Sequence, residues 1–291
     1  MESIGFIGLG VMGEPMCRNL ARKSGVPVVG YDISPEPLAR LAEDGVRAAR
    51  SSAEALEQAS VLFLSLPSGA QVEAVCEGSG GLFARAEAGK AIVDLGTSPV
   101  ALSRSLADRF AARGAAFADA PVARTREAAI AGTLSIMVGA EDATFQRIAP
   151  LLATMATDVT HCGSVGAGQL VKIMNNMVLA QTVIALAEAL AAARRSGVDG
   201  KILFETLAKG SADSFALRNH GMKAMLPGKF PERAFSTEYM LKDLQYALDL
   251  AGDAGIEMRG ARNARAMLEE AIAAGHGKAY WPVACRVIDR A

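Results

Sequence analysis

Three side chains near the middle of the sequence have the types and spacing to do chemistry. In QLVKIMNNMVLAQ (169–181), Lys172 precedes Asn175 by three residues and Asn176 by four. Positions i, i+3 and i+4 share one face of a helix. Folded as a helix, this segment sets an ammonium and two carboxamides together on an otherwise apolar surface. Oxidising an alcohol by hydride transfer requires a group that removes the hydroxyl proton, and the reverse reaction requires one that returns it. A lysine serves where burial and neighbours bring its pKa toward the working pH. An amide one turn further on can orient both the lysine and a substrate oxygen. Lys172 and Asn176 are therefore the catalytic candidates, with Asn175 beside them for substrate. The structural alternative is a lysine that snorkels to solvent and asparagines that bond between helices.

A second constellation opens the chain. IGFIGLGVMGEPM (4–16) contains G-x-G-x-x-G as Gly8, Gly10 and Gly13, after an apolar strand and at the start of a helix. In that context the first glycine permits a tight turn, the second a close approach to a pyrophosphate, and the third helix–strand packing. The free N–H groups of the helix start then face the anion. Gly8, Gly10, Val11, Met12 and Gly13 form the candidate cofactor turn. Asp32, at the end of VVGYDIS, stands where a carboxylate accepts the hydroxyls of an adenosine ribose. Ile33 and Ser34 follow it instead of an arginine suited to a 2′-phosphate. NAD is the expected cofactor, with NADP as the alternative.

These residues need a scaffold that the first half of the chain can supply. Ile4–Gly8, Pro27–Tyr31, Val61–Leu66 and Ala91–Leu95 read as buried parallel strands, and Ala116–Ala120 and Leu134–Gly139 continue the pattern. Helical stretches (Pro15–Ser24, Pro35–Asp44, Pro99–Arg113) alternate with them. This predicts an α/β fold, a doubly wound parallel sheet of Rossmann type. Beyond about Gly163 the strand signal stops. A helix is expected from Gln169 to Ser196, ended by Gly197, then helices over Asp199–Lys209, Ser236–Ala254 and Arg259–Ala274. The expected division is a dinucleotide-binding domain over 1–163 and an all-α domain over 164–291, joined by the long helix.

Composition narrows the function classes. The 291 residues are 51% apolar, enough for a sizeable core, and 30 basic residues balance 31 acidic ones. A nucleic-acid surface would need a basic excess. Cys17, Cys76, Cys162 and Cys285 are far apart, and His161, His220 and His276 are scattered, so neither a disulfide framework nor a metal site is expected. No basic leader with an apolar core precedes the first strand. The uncharged run Ile173–Ala187 contains Asn, Gln and Thr and is shorter than a membrane span needs. A cytoplasmic enzyme without membrane or nucleic-acid partners is the expectation.

Four blocks in order carry a family resemblance: GFIGLGVMGEPMCRNL, DAPVARTREAAIAGTLSIMVGA, GAGQLVKIMNN and KDLQYALDLA. Together they resemble the β-hydroxyacid dehydrogenases, the group of 3-hydroxyisobutyrate dehydrogenase and tartronate semialdehyde reductase, over nearly the whole chain. The resemblance implies Lys172 as acid/base with Asn176 beside it, Thr97 near the nicotinamide, Leu66 and Pro67 along the adenosine side, and Lys242 reaching cofactor or substrate. It implies a small acidic hydroxyacid or semialdehyde as substrate, and a homodimer or homotetramer. Tyr280 and Trp281 read as packing.

The sequence departs from the family where substrate is gripped. The usual Ser-Gly-Gly after D-A-P-V is Ala123-Arg124-Thr125 here. In the family, the serine and the glycine N–H groups bind the substrate carboxylate. Ala123 lacks the hydroxyl, and Arg124 is expected to clamp the acid group with its charged fork, with Thr125 assisting. Its structural alternative is an ion pair with Glu127 or another acid. The sulfolactaldehyde reductase branch carries a similar Val-Gly-Arg-Thr, but Leu179 stands where that branch has a serine. The leading reading is an NAD-dependent dehydrogenase of short 3-hydroxyacids. The alternatives are an NADPH-dependent semialdehyde reductase, including the sulfolactaldehyde type, and a non-catalytic dinucleotide-binding interaction protein.

Overall fold

The protein is described from a computed structural model covering residues 3–232 and 234–289. It divides into two compact units, 1–172 and 173–291. In the first unit, β1 (Ile4–Ile7), α1 (Gly13–Lys23), β2 (Val28–Tyr31), α2 (Pro35–Leu41), β3 (Arg47–Ala48), α3 (Ser52–Glu57), β4 (Val61–Leu64), α4 (Gly69–Cys76), β5 (Ala91–Asp94), α5 (Val100–Ala111) and β6 (Ala116–Asp119) alternate along the chain. Runs such as IGFI and VLFL are buried at every position, as strands covered by helices on both faces must be. Successive residues serve opposite faces. Ile4 and Phe6 pack with Met16, Leu20 and Phe63 on one side, while Ile7 packs with Leu62, Leu64, Leu106 and Phe110 on the other.

The sheet order is β3-β2-β1-β4-β5-β6, parallel throughout. This is the doubly wound dinucleotide-binding order, with the ligand crevice outside the carboxyl ends of the strands. The remaining strands are β7 (Val122–Ala123), β8 (Leu134–Gly139) and β9 (Ala156–Gly163), with α6 (Arg126–Ala131) and α7 (Asp142–Leu152) between them. Here the expected parallel pattern fails: β8 runs antiparallel to β6 and β7. The register explains why. Asp119 pairs with Gly139, Val122 with Ile136 and Ala123 with Ser135, so β6 and β7 form one extended line broken at Ala120–Pro121. Only the short α6 lies between β7 and β8, too little chain for a crossover to a parallel neighbour. β9, which the sequence reading missed, returns parallel to β8 after α7. Only Ala156 of its eight residues is buried, and it lacks the continuous apolar run of the central strands.

The long helix α8 spans Ala167–Arg195, 29 residues and about 43 Å at 1.5 Å per residue. By length and composition it could cross a membrane, but 44% of its most apolar stretch is buried inside the protein, as in a core helix. The first unit extends along it to Lys172, and the start of α8 is fastened to the sheet. Asp119, at the carboxyl end of β6, accepts the Gly166 N–H at Oδ1 (2.6 Å) and the Gln169 N–H at Oδ2 (2.7 Å).

In the second unit, α8 presents Val183, Ile184, Ala187 and Leu190 to a core that includes Phe204, Leu217, Met240, Leu244, Leu268 and Trp281. These come from α9 (Gly200–Leu207), a π-helical turn at Leu217–Met225, α10 (Thr237–Asp253), α11 (Arg259–Ala271) and the segment leading into α12 (Cys285–Ile288). Asp199 caps α9 and Ser236 caps α10 through their side-chain oxygens, the residues at which the sequence places those helix starts.

The Asp119 anchor has a pH signature. Burial raises its carboxyl from an ordinary 3.8 to about 6, against the opposing pull of the two backbone N–H groups. Between about pH 4 and pH 6 the folded protein therefore holds a proton that the unfolded chain has lost, so this group's contribution to stability declines as pH rises through that window. Asp119→Asn lacks the titration. The stability difference between wild type and variant, from urea unfolding, should move against wild type on the order of 3 kcal/mol between pH 4 and pH 7. Parallel pH profiles would rule the anchor's titration out.

Candidate active site

The cofactor turn is built at the end of β1. Gly8 has φ +90°, and a Cβ there would stand 2.3 Å from the Ser65 carbonyl oxygen. At Gly13 a Cβ would stand 1.9 Å from the Gly8 carbonyl oxygen, so α1 can start this close to β1 only without a side chain. Gly10 is different: nothing lies within 4 Å of where its Cβ would be. That open cradle, beside the exposed Val11 and half-buried Met12, is what a pyrophosphate approaching backbone requires. Leu66 and Pro67 lie on the adjacent loop, with Leu66 reaching 3.1 Å from the Gly8 Cβ position.

Asp32 follows β2. Its Oδ2 accepts the Leu9 N–H at 2.5 Å and its Oδ1 the Ser34 N–H at 2.8 Å. The carboxylate thus braces the glycine turn while standing at the strand end expected for ribose recognition. The residues present fit a dinucleotide.

The loop after β5 carries Thr97 and is fixed on both sides. Asp94 accepts the Gly96 N–H (2.9 Å) and the Ser98 hydroxyl (2.7 Å). Gln169, at the start of α8, accepts the Ser98 N–H (3.0 Å) and donates to the Gly96 carbonyl (2.9 Å). Gln169, Lys172 and Asn176 follow one another at helical spacing and are all buried, whereas Leu170, Val171 and Asn175 are exposed. One face of α8 therefore carries the anchor and both catalytic candidates. Burial of Lys172 to 8% exposure sets aside the snorkelling alternative.

In the second unit, Asn176 donates to Asp243 Oδ2 at 2.6 Å, and its own Oδ1 accepts from Asn175 at 3.0 Å. Asp243 is 1% exposed, and the Lys242 ammonium stands 3.1 Å from its Oδ1. The same ammonium lies over the Tyr239 and Tyr246 rings. Sequence reasoning named Lys242 but missed Asp243, its neighbour in KDL. A carboxylate at a buried helix position next to a lysine was the available signal.

The substrate loop differs from expectation at Arg124. Its φ is +85°, the sole positive value among the described non-glycine residues, and it stands at a position where the family has glycine. Such a conformation costs on the order of 1–3 kcal/mol for a residue with a side chain. Its guanidinium is bonded within the protein. Nη1 donates to the Thr133 carbonyl (2.6 Å) and to Thr157 Oγ1 (2.8 Å), and Nη2 donates to Asp158 Oδ2 (2.7 Å). The acid that pairs with it is Asp158 on β9, whose carboxyl is held below its usual range by Thr157 and Arg124. Ala123 ends β7, and Thr125 precedes α6 in extended conformation.

Comparison with known proteins agrees with this geometry. Residues 3–163 match the family model for the NAD binding domain of 6-phosphogluconate dehydrogenase, and residues 166–282 that for the NAD-binding of NADP-dependent 3-hydroxyisobutyrate dehydrogenase. The chain is 34% identical over 275 residues to 2-(hydroxymethyl)glutarate dehydrogenase of Eubacterium barkeri, covering 94% of this chain and 91% of that one. It is 37% identical over 256 residues to 3-hydroxyisobutyrate dehydrogenase of Pseudomonas aeruginosa, with 85% of each chain covered. The solved structure of the Mycobacterium tuberculosis 3-hydroxyisobutyrate dehydrogenase with L-serine superposes with a TM-score of 0.88 at 32% identity, over 99% of both chains. The fold and site are those of an NAD(P)-dependent oxidoreductase. The chain belongs to the β-hydroxyacid dehydrogenase family, that of the 3-hydroxyisobutyrate dehydrogenases.

Proposed function

We propose that this enzyme is a soluble, cytoplasmic dehydrogenase that uses NAD to interconvert a short 3-hydroxyacid and its semialdehyde, with Lys172 as the acid/base. The observation that carries this reading is the buried Lys172, locked by Gln169 into register with the loop of Thr97 at the carboxyl edge of the sheet. The cofactor, held by Gly8, Gly10, Val11, Met12, Gly13, Asp32, Leu66, Pro67 and Thr97, supplies the hydride acceptor. Lys172 takes the hydroxyl proton in oxidation and returns it in reduction. Asn176, one turn on, orients the reacting oxygen, and Asp243 fixes the Asn176 amide by accepting from it. Lys242 serves the cofactor, and Asn175 steadies Asn176. The loop 123–125 receives the acid group through its backbone N–H groups, since the Arg124 guanidinium is engaged elsewhere. The named relatives act on substrates of this type.

Lys172→Ala should lower kcat about 10²–10⁴-fold while NADH binding stays near that of wild type. Stopped-flow turnover with a panel of 3-hydroxyacids measures this, and near-native kcat would remove Lys172 from the mechanism.

NAD preference follows from Asp32, because a carboxylate repels a 2′-phosphate. Although the second matched model is described as NADP-dependent, the specificity residue of this chain is acidic. Fluorescence titration should show tighter NADH than NADPH binding, with the gap narrowed by Asp32→Ala. Equal affinities in wild type would defeat the preference.

Self-association is part of the proposal. Val178, Ile202 and Phe215 of the second unit are more than half exposed, apolar side chains that a partner subunit would cover. Light scattering at micromolar concentration should report a dimer or tetramer; a monomer mass would end this part of the reading.

A further inference from the structure

We propose that Arg124 is a positioning residue: it latches the substrate loop to β9, and so makes Thr157 and Asp158 determinants of affinity for acidic substrates. This rests on the reading above that loop 123–125 receives the substrate's acid group. At the level of Arg124, three chain segments lie side by side. β7 ends at Ala123, opposite Ser135 of β8, and Ser135 is in register with Asp158 of β9. The guanidinium crosses from the first segment to the third. Nη1 donates to the carbonyl of Thr133, just before β8, and to Thr157 Oγ1, while Nη2 donates to Asp158 Oδ2. Thr157 Oγ1 in turn donates to the same carboxylate oxygen at 2.8 Å, closing a ring of contacts.

The ion pair alone would do little. Both partners are more than a third exposed, and water screens them. The latch consists of the planar fork, which fixes one guanidinium on a backbone carbonyl, a hydroxyl and a carboxylate at once. Its mechanical role follows from the backbone. A glycine would hold φ near +85° without strain, but an arginine holds it only where other contacts over-determine it. With the fork released, residue 124 relaxes toward negative φ. The peptide planes on either side then rotate, and with them the N–H groups that meet the acid. Asp158 and Thr157 therefore act on substrate without touching it.

The test compares Arg124→Ala, Arg124→Gly and Asp158→Asn in the full enzyme, by steady-state kinetics with an acidic 3-hydroxyacid, NADH titration, and amide hydrogen exchange of peptides covering 120–135 in the NAD-bound protein. A latch predicts that Arg124→Ala and Asp158→Asn raise KM about 10-fold, the worth of one charge-assisted contact. Their kcat and NADH affinity should change less than about threefold, and the loop amides should exchange faster. Arg124→Gly removes latch and strain together, so its KM should stay within about threefold of wild type. A purely structural role would not separate alanine from glycine in this way. Equal KM increases in both Arg124 variants, with Asp158→Asn unchanged or improved, would show the guanidinium binding substrate itself and overturn the proposal. Unchanged KM and exchange in Arg124→Ala would overturn it as well. If wild type turns over no 3-hydroxyacid, the reading of the site fails, and the exchange pattern still decides whether the latch holds.

Discussion

The architecture of the first unit depends on two buried carboxylates at neighbouring strand ends. Asp94 ends β5 and Asp119 ends β6, paired in the ladder and both inaccessible to solvent. A buried carboxylate is costly unless its oxygens are satisfied, and each satisfies them by fixing a segment the chemistry needs. Asp119 takes the N–H groups that open α8, where the helix dipole favours negative charge. Asp94 takes the N–H and hydroxyl groups of the loop that carries Thr97. Gln169 then joins the two, bonded to that loop by its side chain and to Asp119 by its backbone. The position of Lys172 is thus inherited from the ends of two strands through less than one helical turn beyond Gln169.

The second unit uses the same device once more. Asp243, buried on α10, turns the Asn176 amide so that its nitrogen donates inward and its oxygen meets Asn175. The neighbouring Lys242 offsets the charge of Asp243 and rests over two tyrosine rings. An Asn left to rotate would present donor or acceptor indifferently. With Asp243 present only one orientation is satisfied, so a buried acid sets the polarity of the Asn176 amide.

Much of the fold was legible because its signals are local. Apolar four-residue runs mark β1, β4 and β5, proline and serine mark helix starts, and Gly8, Gly10 and Gly13 mark the turn. Lys172, Asn176 and Asp32 could be named because spacing puts them on a face or at a strand end and the ordered family motifs favour chemistry over packing there. What escaped depends on contacts between residues distant in sequence. The antiparallel turn of β8 is decided by the shortness of α6, and β9 by a partner strand whose pull outweighs its mixed composition. Asp119 and Gln169 bond across fifty residues, and Arg124 reaches Asp158 across thirty-four, beyond any periodicity. For Arg124 the sequence suggests a polar residue with a purpose, and only the fold selects its partner; Asp119 and Gln169 carry no such local signal.

Arg124 shows how such a partner changes the meaning of a residue. From residue type alone, a guanidinium in a substrate loop reads as an anion clamp. The backbone, however, holds a left-handed conformation at this position, which glycine adopts most cheaply. An arginine keeps that conformation only where other contacts over-determine it. The contacts to Thr133, Thr157 and Asp158 supply that constraint. The charge is then paired with Asp158, and on the proposed reading recognition of the acid falls to N–H groups whose direction is a property of φ and ψ. On the proposed reading, three hydrogen bonds hold the loop here in place of glycine's conformational freedom.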